Sequence, residues 1–340
     1  MKILSVSVAA YNVSAYIREC LDCFLEASVL DRCEVIVVDD GSKDDSAIIV
    51  QEYVVKYPDT FKLVQKENGG WGSTLNTSIP IATGKYFRQL DGDDFLNSEQ
   101  LKEFLDLLET TDADVVDSYY REFRDGTYDI IGTVTTDECI PRERKLKIDE
   151  VSGRYDIAMH MFTFKTKILQ RNNIGMAEHC FYTDVEFIIK AFSRCETIIF
   201  TELVVYMYRL GRDGQSMSID GFIKHYKEHT RVIEIAIDYI ENTSGILHKD
   251  ILRTRIVSMI SMQYIILLMM KPNKDNKERF TSFDKIIKKY PYYYKRNTGR
   301  HVDLTRKTGY LTYWISSKYL SMKNDRSKKR ERDILKCMII

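Results

Sequence analysis

Residues 33–42, with the sequence CEVIVVDDGS, decide the fold class of this chain. Their first part is a continuous run of apolar, mostly β-branched residues, which predicts a strand buried on both faces, as in a parallel sheet. The run ends in Asp39 and Asp40, followed by Gly41. In open α/β sheets, ligands bind beyond the carboxyl ends of the strands. The stretch therefore predicts a parallel sheet with acidic side chains at its ligand-binding edge.

Strand-like and helix-like patterns alternate around this stretch. Besides 33–39, strands are predicted at residues 3–11, 61–67, 85–91 and 112–116. Helices are predicted at 14–28, with Ser14 as the N-cap, at 42–58, ending at Pro58, at 73–84 and at 98–111. The order β-α-β-α-β-α-β is the signature of a doubly wound α/β sheet with right-handed crossovers.

The rest of the chain divides into an irregular stretch and a helical region. Residues 119–150 are charged and irregular, residues 181–218 predict helix, strand and loop, and the pattern from Phe222 onward is helical. Within residues 255–271, about fifteen mostly apolar residues are too short and too polar a run for a membrane span of about 20. A core or dimer-interface helix is predicted there.

Charge divides the chain near residue 221, although its 340 residues carry 50 basic and 50 acidic side chains in total. Residues 1–221 contain 24 Lys and Arg against 38 Asp and Glu, whereas residues 222–340 contain 26 against 12. We therefore predict two domains with this boundary. The basic region is expected either to attract the acidic one, within one molecule or across a homodimer, or to contact anionic lipid.

The cysteines and the N-terminal residues favour a cytoplasmic protein. The seven cysteines are scattered and odd in number, which is typical of a reduced protein rather than of a disulfide framework. Cys20 and Cys23 form a C-x-x-C inside a helical pattern without a second pair, so a structural role is expected. The first 13 residues predict a strand rather than a secretory signal. Peripheral contact with the inner face of the cell membrane is a further expectation for the basic region.

A second acidic cluster lies in residues 88–97, RQLDGDDFLN. Asp91, Asp93 and Asp94 crowd three like charges into four positions, which repel one another unless a cation relieves them. Carboxylates without nearby His or Cys suit a hard cation, Mg²⁺ or Mn²⁺, rather than zinc. Phe95 stands where an EF-hand needs its third acid, so a calcium loop is excluded.

Glycines accompany this cluster. Gly92 lets the backbone turn closely past a ligand, and residues 67–76, ENGGWGSTLN, contain three glycines in four positions. Such loops bring main-chain N–H groups near phosphates. The lysine of a Walker loop is absent, and no G-x-G-x-x-G opens the first helix, so a dinucleotide is not expected. No nucleic-acid partner is expected either.

Four stretches together resemble glycosyltransferase family 2, whose members have the GT-A fold. They are VSVAAYNVSAYIRECLD, VIVVDDGSKDDS, ENGGWGSTLN and GKYFRQLDGDDFL, in the order and spacing of the family. The resemblance covers roughly residues 1–220. It implies a GT-A catalytic domain at 1–221, with a nucleotide-sugar half at about 1–118 and an acceptor half at about 119–221, followed by a basic helical region at 222–340.

The resemblance also implies which residues bind the donor. Asp91 and Asp93 would hold Mg²⁺ or Mn²⁺ on the diphosphate, and Asp40 would face the nucleobase. The other residues assigned to donor binding are Ala9, Tyr11, Asn12, Gly70, Gly72, Gly92, Arg209 and Arg212. Many relatives have an arginine near the position of Leu75, so the diphosphate is expected to depend more on the metal and on the two later arginines.

The catalytic base is implied by residues 179–187, HCFYTDVEF, which resemble the family motif that opens a helix beside the acceptor. The match assigns Asp184 as the base, with Thr183 replacing the glutamate of the motif and Glu186 as a competing acid. Asp184 would remove a proton from the acceptor hydroxyl as its oxygen attacks the anomeric carbon. One base and no enzyme nucleophile imply a single displacement with inversion.

The predicted function is therefore sugar transfer from a nucleotide sugar, with a UDP-sugar expected first, to a glycan or lipid-linked acceptor in bacterial surface-polysaccharide synthesis. Two alternatives remain. A nucleotidyltransferase is disfavoured because residues 9–16, AAYNVSAY, carry no Gly-rich basic signature. A catalytically degenerate scaffold or partner subunit is disfavoured because the acids at 40, 91, 93 and 184 are intact.

Three residues near the predicted site have both a structural and a functional interpretation. His160 and His179 flank the acceptor region, where a structural histidine is favoured over a pocket-lining one. Trp71, in the Gly-rich loop, is expected either to stack on a sugar or base or to pack on the domain.

Overall fold

The computed structural model describes residues 2–151, 157–212, 219–297 and 299–327. The chain divides into two compact units, Met1–Asp213 with Ser244–His248, and Gly214–Thr243 with Lys249–Ile340. The domain boundary at residue 221 stays a prediction. The assignment of Ser244–His248 to the first unit is a feature that composition does not indicate.

The first unit is built on a mixed sheet. Its described strands are β1 (Leu4–Ala10), β2 (Cys33–Asp39), β3 (Phe61–Gln65), β4 (Tyr86–Asp91), β5 (Phe95–Leu96), β6 (Val115–Arg124), β7 (Ile130–Val134), β8 (Leu146–Lys147), β9 (Phe162–Lys165) and β10 (Thr197–Leu210). They follow the order β3-β2-β1-β4-β9-β6-β10-β5, with β7 paired to β6 and β8 to β10. The pairs among β1 to β4 are parallel, which confirms the predicted α/β class, whereas β9 is antiparallel to both β4 and β6.

The register of these strands brings the two acidic stretches together. β1 lies between β2 and β4, with Ala10 opposite Asp39 and Ala9 opposite Asp91. Parallel strands end at the same edge of a sheet, so both clusters lie at the edge where ligands bind in this class of fold.

Six helices are described in the first unit. They are α1 (Ile17–Glu26), α2 (Ser46–Lys56), α3 (Trp71–Ile81), α4 (Ser98–Thr110), α5 (Thr166–Arg171) and α6 (Thr183–Phe192). The prediction that Ser14 caps α1 is wrong, because the cap position is Tyr16 and no side chain caps it. The backbone N–H of Ser14 instead donates to Asp44 Oδ2 at 2.9 Å, which ties the loop after β1 to the loop after β2.

The prediction that residues 119–150 are irregular is also wrong. β6 continues to Arg124, turns at Gly126 with a φ of +77°, and pairs antiparallel with β7. β8 and a short 3₁₀ turn at Ile148–Val151 follow. β7, with the sequence IIGTV, has five residues, is largely exposed and lacks the alternation of apolar and polar residues by which a half-buried strand is recognised.

The segment Ser244–His248 is fastened to the first unit by hydrogen bonds. The backbone N–H of Leu247 donates to the Ser193 carbonyl at 3.0 Å, and Arg194 Nη1 donates to the Gly245 carbonyl at 3.1 Å. The ring nitrogens of His248 lie 2.6 Å from the Cys195 carbonyl and 2.5 Å from Asp149 Oδ1.

The second unit is helical throughout its described residues, as predicted. Its helices are α7 (Ile219–Lys224), α8 (Tyr226–Asn242), α9 (Lys249–Met269), α10 (Lys274–Lys288), α11 (Pro291–Arg296), α12 (Arg300–Lys307) and α13 (Tyr313–Ser327). α9 has 21 residues, so it is longer than the apolar run in its sequence, and its best 18-residue window has a mean hydropathy of 1.4. By length and composition it is the one described helix that could cross a membrane, but half of that window is buried in the protein. The helix thus reaches the length that the apolar run was predicted to lack, and its role as a core or dimer-interface helix stays a prediction.

A buried carboxylate organises the core of the second unit. Asp284 Oδ1 accepts hydrogen bonds from Tyr264 Oη at 2.8 Å and from Arg306 Nε at 2.7 Å, and Oδ2 accepts one from Tyr310 Oη at 2.7 Å. Arg306 also donates to Tyr264 Oη at 2.7 Å. The fully buried acid is thus matched by a cation and by two hydroxyl donors.

Candidate active site

The three acids that follow β4 have different surroundings. Asp94 is buried and accepts hydrogen bonds from Tyr206 Oη at 2.6 Å and from the backbone N–H of Arg209 at 2.7 Å. Burial, followed by the charges of Asp93 and Asp91, raises the pKa of Asp94 well above its ordinary value. Asp94 thus anchors β10 to the turn after β4, a role that the sequence left open.

Asp91 is held by two neutral donors. Trp71 Nε1–H and Gln89 Nε2–H both donate to its Oδ1, at 2.7 and 2.6 Å. Burial and then the neighbouring Asp93 carboxylate raise its pKa to about 7, and the charge of Asp184 acts in the same direction. No described residue is seen to donate to Oδ2, which leaves that oxygen as a ligand atom.

Asp93 is the acid that meets an arginine. Its Oδ2 forms an ion pair with Arg212 Nε, and its backbone carbonyl accepts from Arg209 Nε at 2.7 Å. The predicted phosphate partner Arg212 therefore lies at the acidic cluster. Its guanidinium is partly exposed, so it is accessible from solvent.

Arg209, the other predicted phosphate partner, is instead enclosed by protein groups. Its side chain is 2% exposed and forms ion pairs with Glu19 at 2.5 Å and Asp125 at 3.0 Å. The rings of Tyr16 and Phe123 lie 4.9 and 4.8 Å from its guanidinium carbon. These contacts are typical of a structural arginine that holds neighbouring segments together. Phosphate binding by Arg209 stays a prediction.

Asp40 fixes the Gly-rich loop. Its Oδ2 accepts from the backbone N–H of Gly70 at 2.8 Å, and Oδ1 accepts from Gly69 N–H and Lys66 Nζ, each at 2.9 Å. Ser73 Oγ donates to Oδ1 at 3.1 Å. Both oxygens thus serve the loop itself, whereas the resemblance assigned Asp40 to the nucleobase. That assignment stays a prediction.

The loop after β1 offers an exposed aromatic ring beside this edge. Tyr11 is half exposed, and Asn12 adopts a left-handed conformation with a φ of 52°. Asn12 Oδ1 accepts from Lys43 N–H at 2.8 Å, which fixes the loop after β1 to the loop after β2. Gly92 is required next to them, since a Cβ at this position would lie 2.9 Å from the carbonyl oxygen of Ala9. The predicted Ala9, Tyr11 and Asn12 backbone therefore borders the acidic cluster.

The predicted base Asp184 is the second residue of α6. Its charge helps to raise the pKa of Asp91, so it lies within electrostatic range of the acidic cluster. The competing acid Glu186 is buried, where it accepts from Ala177 N–H at 3.0 Å and pairs with Lys190 at 2.6 Å. Glu186 is thus a structural residue, and Asp184 stays the predicted base.

α3 and α6 touch at Gly72. A Cβ on Gly72 would lie 3.1 Å from Thr183 Oγ1 of α6 and 2.5 Å from the carbonyl oxygen of Ala177, which precedes α6, so only glycine fits there. One residue earlier, the ring of Trp71 packs against that of Phe187 with centroids 6.5 Å apart. The loop predicted to bind the donor is thereby held against the helix that carries Asp184.

His160 is the residue whose place in the site was underestimated. Its ring lies among those of Tyr120, Tyr206 and Tyr208, with centroids 4.4 to 4.9 Å away. Burial and then the charge of Arg88 lower its pKa to about 3, so the imidazole is neutral. Its buried Nε2 has no hydrogen-bond partner among the described residues. His160 reaches this position because β9, which follows it in the chain, pairs between β4 and β6. A local sequence pattern does not predict such a pairing.

The donor set of this edge fits a divalent cation. Ligand atoms of Asp91, Asp94 and His160 lie within 4.8 Å of one another. Carboxylates suit Mg²⁺ or Mn²⁺, and a neutral imidazole is a ligand for transition-metal ions. A bound cation would give Nε2 of His160 a partner, and its positive charge would lower the raised pKa of Asp91. The predicted pair Asp91 and Asp93 thus gains alternative partners in Asp94 and His160.

The fold is that of solved sugar-nucleotide-binding proteins. TarS of S. aureus, residues 1–349 in complex with UDP-GlcNAc, superposes with a TM-score of 0.65 at 18% identity, covering 97% of this chain and 92% of TarS 1–349. The first unit therefore has the predicted GT-A fold, followed by a helical C-terminal region.

Comparison of the amino-acid sequence with protein families establishes the family of this chain. The model for glycosyl transferase family 2 matches residues 5–180, so the chain belongs to glycosyltransferase family 2, a family of transferase enzymes. The uncharacterized glycosyltransferase EpsJ of Bacillus subtilis is 26% identical over 61% of this chain and 61% of its own length. The poly(ribitol-phosphate) beta-glucosyltransferase of Bacillus spizizenii is 28% identical over 64% of this chain but only 33% of its own length. The matches thus span about a third to three fifths of these relatives.

Proposed function

We propose that this protein transfers a sugar from a nucleotide sugar, with inversion and with a divalent cation, to a hydroxyl of a glycan or lipid-linked acceptor in cell-surface glycan synthesis. The observation that carries the proposal is the crowding of Asp91, Asp93 and Asp94 at one sheet edge, where the charge of Asp184 also acts on Asp91 and where the described donors to Asp91 are neutral. Such a cluster is stabilised by a metal ion and the phosphates bound to it.

A UDP-sugar is the donor class we propose. TarS, which shares the fold, was solved with UDP-GlcNAc. The exposed ring of Tyr11 can stack on a nucleobase at the end of β1, and Arg212 can pair with a phosphate once it leaves Asp93. Glycan synthesis at the cell surface is supported by the poly(ribitol-phosphate) beta-glucosyltransferase among the relatives.

The residues of this chain would divide the reaction as follows. Asp91, with Asp93, Asp94 or His160, would hold the cation, which supplies positive charge to the departing diphosphate. Asp184 accepts the proton of the acceptor hydroxyl while that oxygen forms a bond to the anomeric carbon. The bond between the anomeric carbon and the phosphate oxygen breaks in the same step, and the electron pair leaves with the nucleoside diphosphate. A single displacement of this kind inverts the anomeric centre.

The test is a donor screen with the purified chain. UDP-, GDP- and dTDP-sugars are incubated with Mn²⁺ or Mg²⁺ and then with EDTA, and release of nucleoside diphosphate is measured. We expect release from a UDP-sugar that EDTA abolishes. Release that survives EDTA would contradict metal dependence, and no release with any donor would favour the scaffold alternative. Formation of UDP-sugar from UTP and a sugar 1-phosphate would favour the nucleotidyltransferase alternative.

Asp184→Asn tests the base. The exchange keeps the shape of the side chain and removes the proton acceptor, so we expect turnover to fall about 10²- to 10⁴-fold. UDP binding, measured by calorimetry, should stay unchanged. Glu186→Gln is the matched control on the same helix and should alter stability rather than the pH profile of turnover. Wild-type turnover in Asp184→Asn would remove Asp184 from the mechanism.

A cytoplasmic location and a homodimer remain part of the proposal. The six described cysteines are free thiols. Fractionation of cells expressing the full chain tests the location.

A further inference from the structure

The outward face of α13 is apolar. Leu311, just before the helix, is 75% exposed, and Ile315, one turn later, is 69% exposed. Trp314, Tyr319 and Met322 are exposed as well, and together these side chains follow the spacing of one helix face. Single exposed apolar residues are ordinary, but a continuous stripe of five marks a surface that contacts something.

The inward face of the same helix is rich in serine. Ser316, Ser317 and Ser321 are buried, and Ser317 Oγ donates to the Met270 carbonyl at 2.8 Å. Tyr313 and Leu320 are also buried on this face. Surface helices of soluble proteins normally turn their apolar stripe towards the core. Packing among the described residues of the second unit therefore does not account for the exposed apolar residues of α13.

Positive charge borders this stripe. Lys318 and Lys323 are exposed on the apolar side of α13, and Lys307 and Arg300 are exposed on the preceding helix α12. Between residues 299 and 323 the chain has five Lys or Arg and a single acid, Asp303. Lysine side chains beside apolar residues can lie along an apolar surface while their ammonium groups reach phosphate oxygens.

We propose that the outward face of α13 inserts into the interfacial region of an anionic phospholipid bilayer. Trp and Tyr are the aromatic residues that favour the membrane interface, and the lysines attract acidic headgroups. A second copy of this chain fits the face less well, because two copies packed face to face would bring Lys318 and Lys323 of one copy against those of the other. The surface goes beyond the proposed sugar transfer and does not depend on it.

Vesicle sedimentation of the full-length chain tests the proposal. We expect binding to phosphatidylcholine vesicles that contain phosphatidylglycerol, and little binding to pure phosphatidylcholine. Leu311→Ser/Ile315→Ser removes two exposed apolar side chains and should lower the partition coefficient about 10-fold or more. Lys318→Gln/Lys323→Gln should lower it about 10-fold and reduce its dependence on salt.

The matched control is Ile48→Ser/Val55→Ser on α2. These two side chains are 65% and 74% exposed, so the control removes two comparably exposed apolar side chains from the first unit and should leave vesicle binding unchanged. Thermal unfolding of each variant verifies that it is folded.

Fluorescence locates the contact on the chain. Trp71 and Trp314 are the two tryptophans of the sequence. Brominated phosphatidylglycerol should quench the wild-type emission, and Trp314→Phe should abolish that quenching. Equal binding of wild type and Leu311→Ser/Ile315→Ser would overturn the proposal. The proposal would also be overturned if sedimentation velocity showed a concentration-dependent dimer of the wild type and if Leu311→Ser/Ile315→Ser abolished this dimer without changing vesicle binding.

Discussion

Asp91 in the first unit is a partly buried carboxylate and Asp284 in the second is a fully buried one, and their surroundings are opposite. Asp284 accepts three hydrogen bonds, one of them from the guanidinium of Arg306 at 2.7 Å. Asp91 accepts two bonds from the neutral donors Trp71 and Gln89, and its charged neighbours are acids. Asp284 thus has a counter-charge within the protein, whereas the described donors to Asp91 are both neutral.

The difference separates a structural carboxylate from a ligand-binding one. A buried acid matched by an arginine and hydroxyl donors stabilises one arrangement of helices, and removing it leaves a buried cation unpaired. Crowded acids cost stability in the isolated protein, and that cost is relieved only when a cation binds. The same residue type therefore marks core architecture in one unit and a candidate site in the other.

Asp91→Asn should have the largest effect on function. It keeps the hydrogen-bond geometry while removing a charged ligand, and several kcal/mol of metal-dependent stabilisation correspond to a loss of turnover of about 10⁴-fold. Steady-state release of UDP measures the loss. The variant should stay folded, because a source of repulsion is removed. Near-wild-type turnover would mean that Asp91 is not a ligand.

Asp284→Asn should have the largest effect on stability. Without the carboxylate, the guanidinium of Arg306 is left buried without its ion pair, which costs about 3 to 5 kcal/mol. Urea unfolding monitored by circular dichroism measures the change. Turnover per folded molecule should equal that of the wild type. An Asp284→Asn variant as stable as the wild type would show that Asp284 is not needed to balance the charge of Arg306.

The pH dependence of stability should distinguish the two acids as well. The pKa of Asp91 is raised from 3.8 to about 7, so the folded chain retains a proton that the unfolded chain has already released. Stability from this group is present below about pH 4 and is lost as the pH rises towards 7. In EDTA-treated protein, Asp91→Asn should therefore stabilise the fold by about 2 kcal/mol more at pH 8 than at pH 5. An equal effect at both pH values would show that Asp91 titrates normally.

Trp71→Phe should have the smallest effect. It retains the packing on Phe187 and removes one donor to Asp91, so Mn²⁺ binding, measured by electron paramagnetic resonance, should weaken about 10-fold. Trp314→Phe, the exchange of the other tryptophan, is the matched control and should leave Mn²⁺ binding unchanged. Identical affinities for the two variants would show that the indole hydrogen bond does not position Asp91.

Much of the first unit could be predicted because its strands are strongly patterned. β1 to β4 are short and mostly apolar, and β2 and β4 end in acids, so the alternation of strands and helices and the position of the ligand edge follow from the sequence pattern. β7 and β9 were not predicted, because β7 is largely exposed and β9 has only four residues. The N-cap of α1 was mispredicted because tertiary hydrogen bonds to Asp44 and Ser46 took the place of a local cap.

The sequence selected candidate residues for the site, but their contacts could not be predicted from it. The resemblance to the family assigned Asp40, Asp91, Asp93 and Asp184, and these assignments stay predictions. Local sequence could not show that Asp40 holds the Gly-rich loop, because Asp40 and Gly70 are 30 residues apart and only the fold brings them together. His160 is the clearest case, since its neighbours Asp91 and Tyr206 come from distant strands.

The return of Ser244–His248 to the first unit has a consequence for dividing the gene. The polypeptide of the catalytic unit is discontinuous, since α7 and α8 lie in sequence between β10 and this segment. A truncation after residue 212 would leave the Ser193 and Cys195 carbonyls without the N–H of Leu247 and the ring of His248. Transplanting the transferase chemistry into another protein would therefore require the chain through His248, with two helices of the second unit carried along.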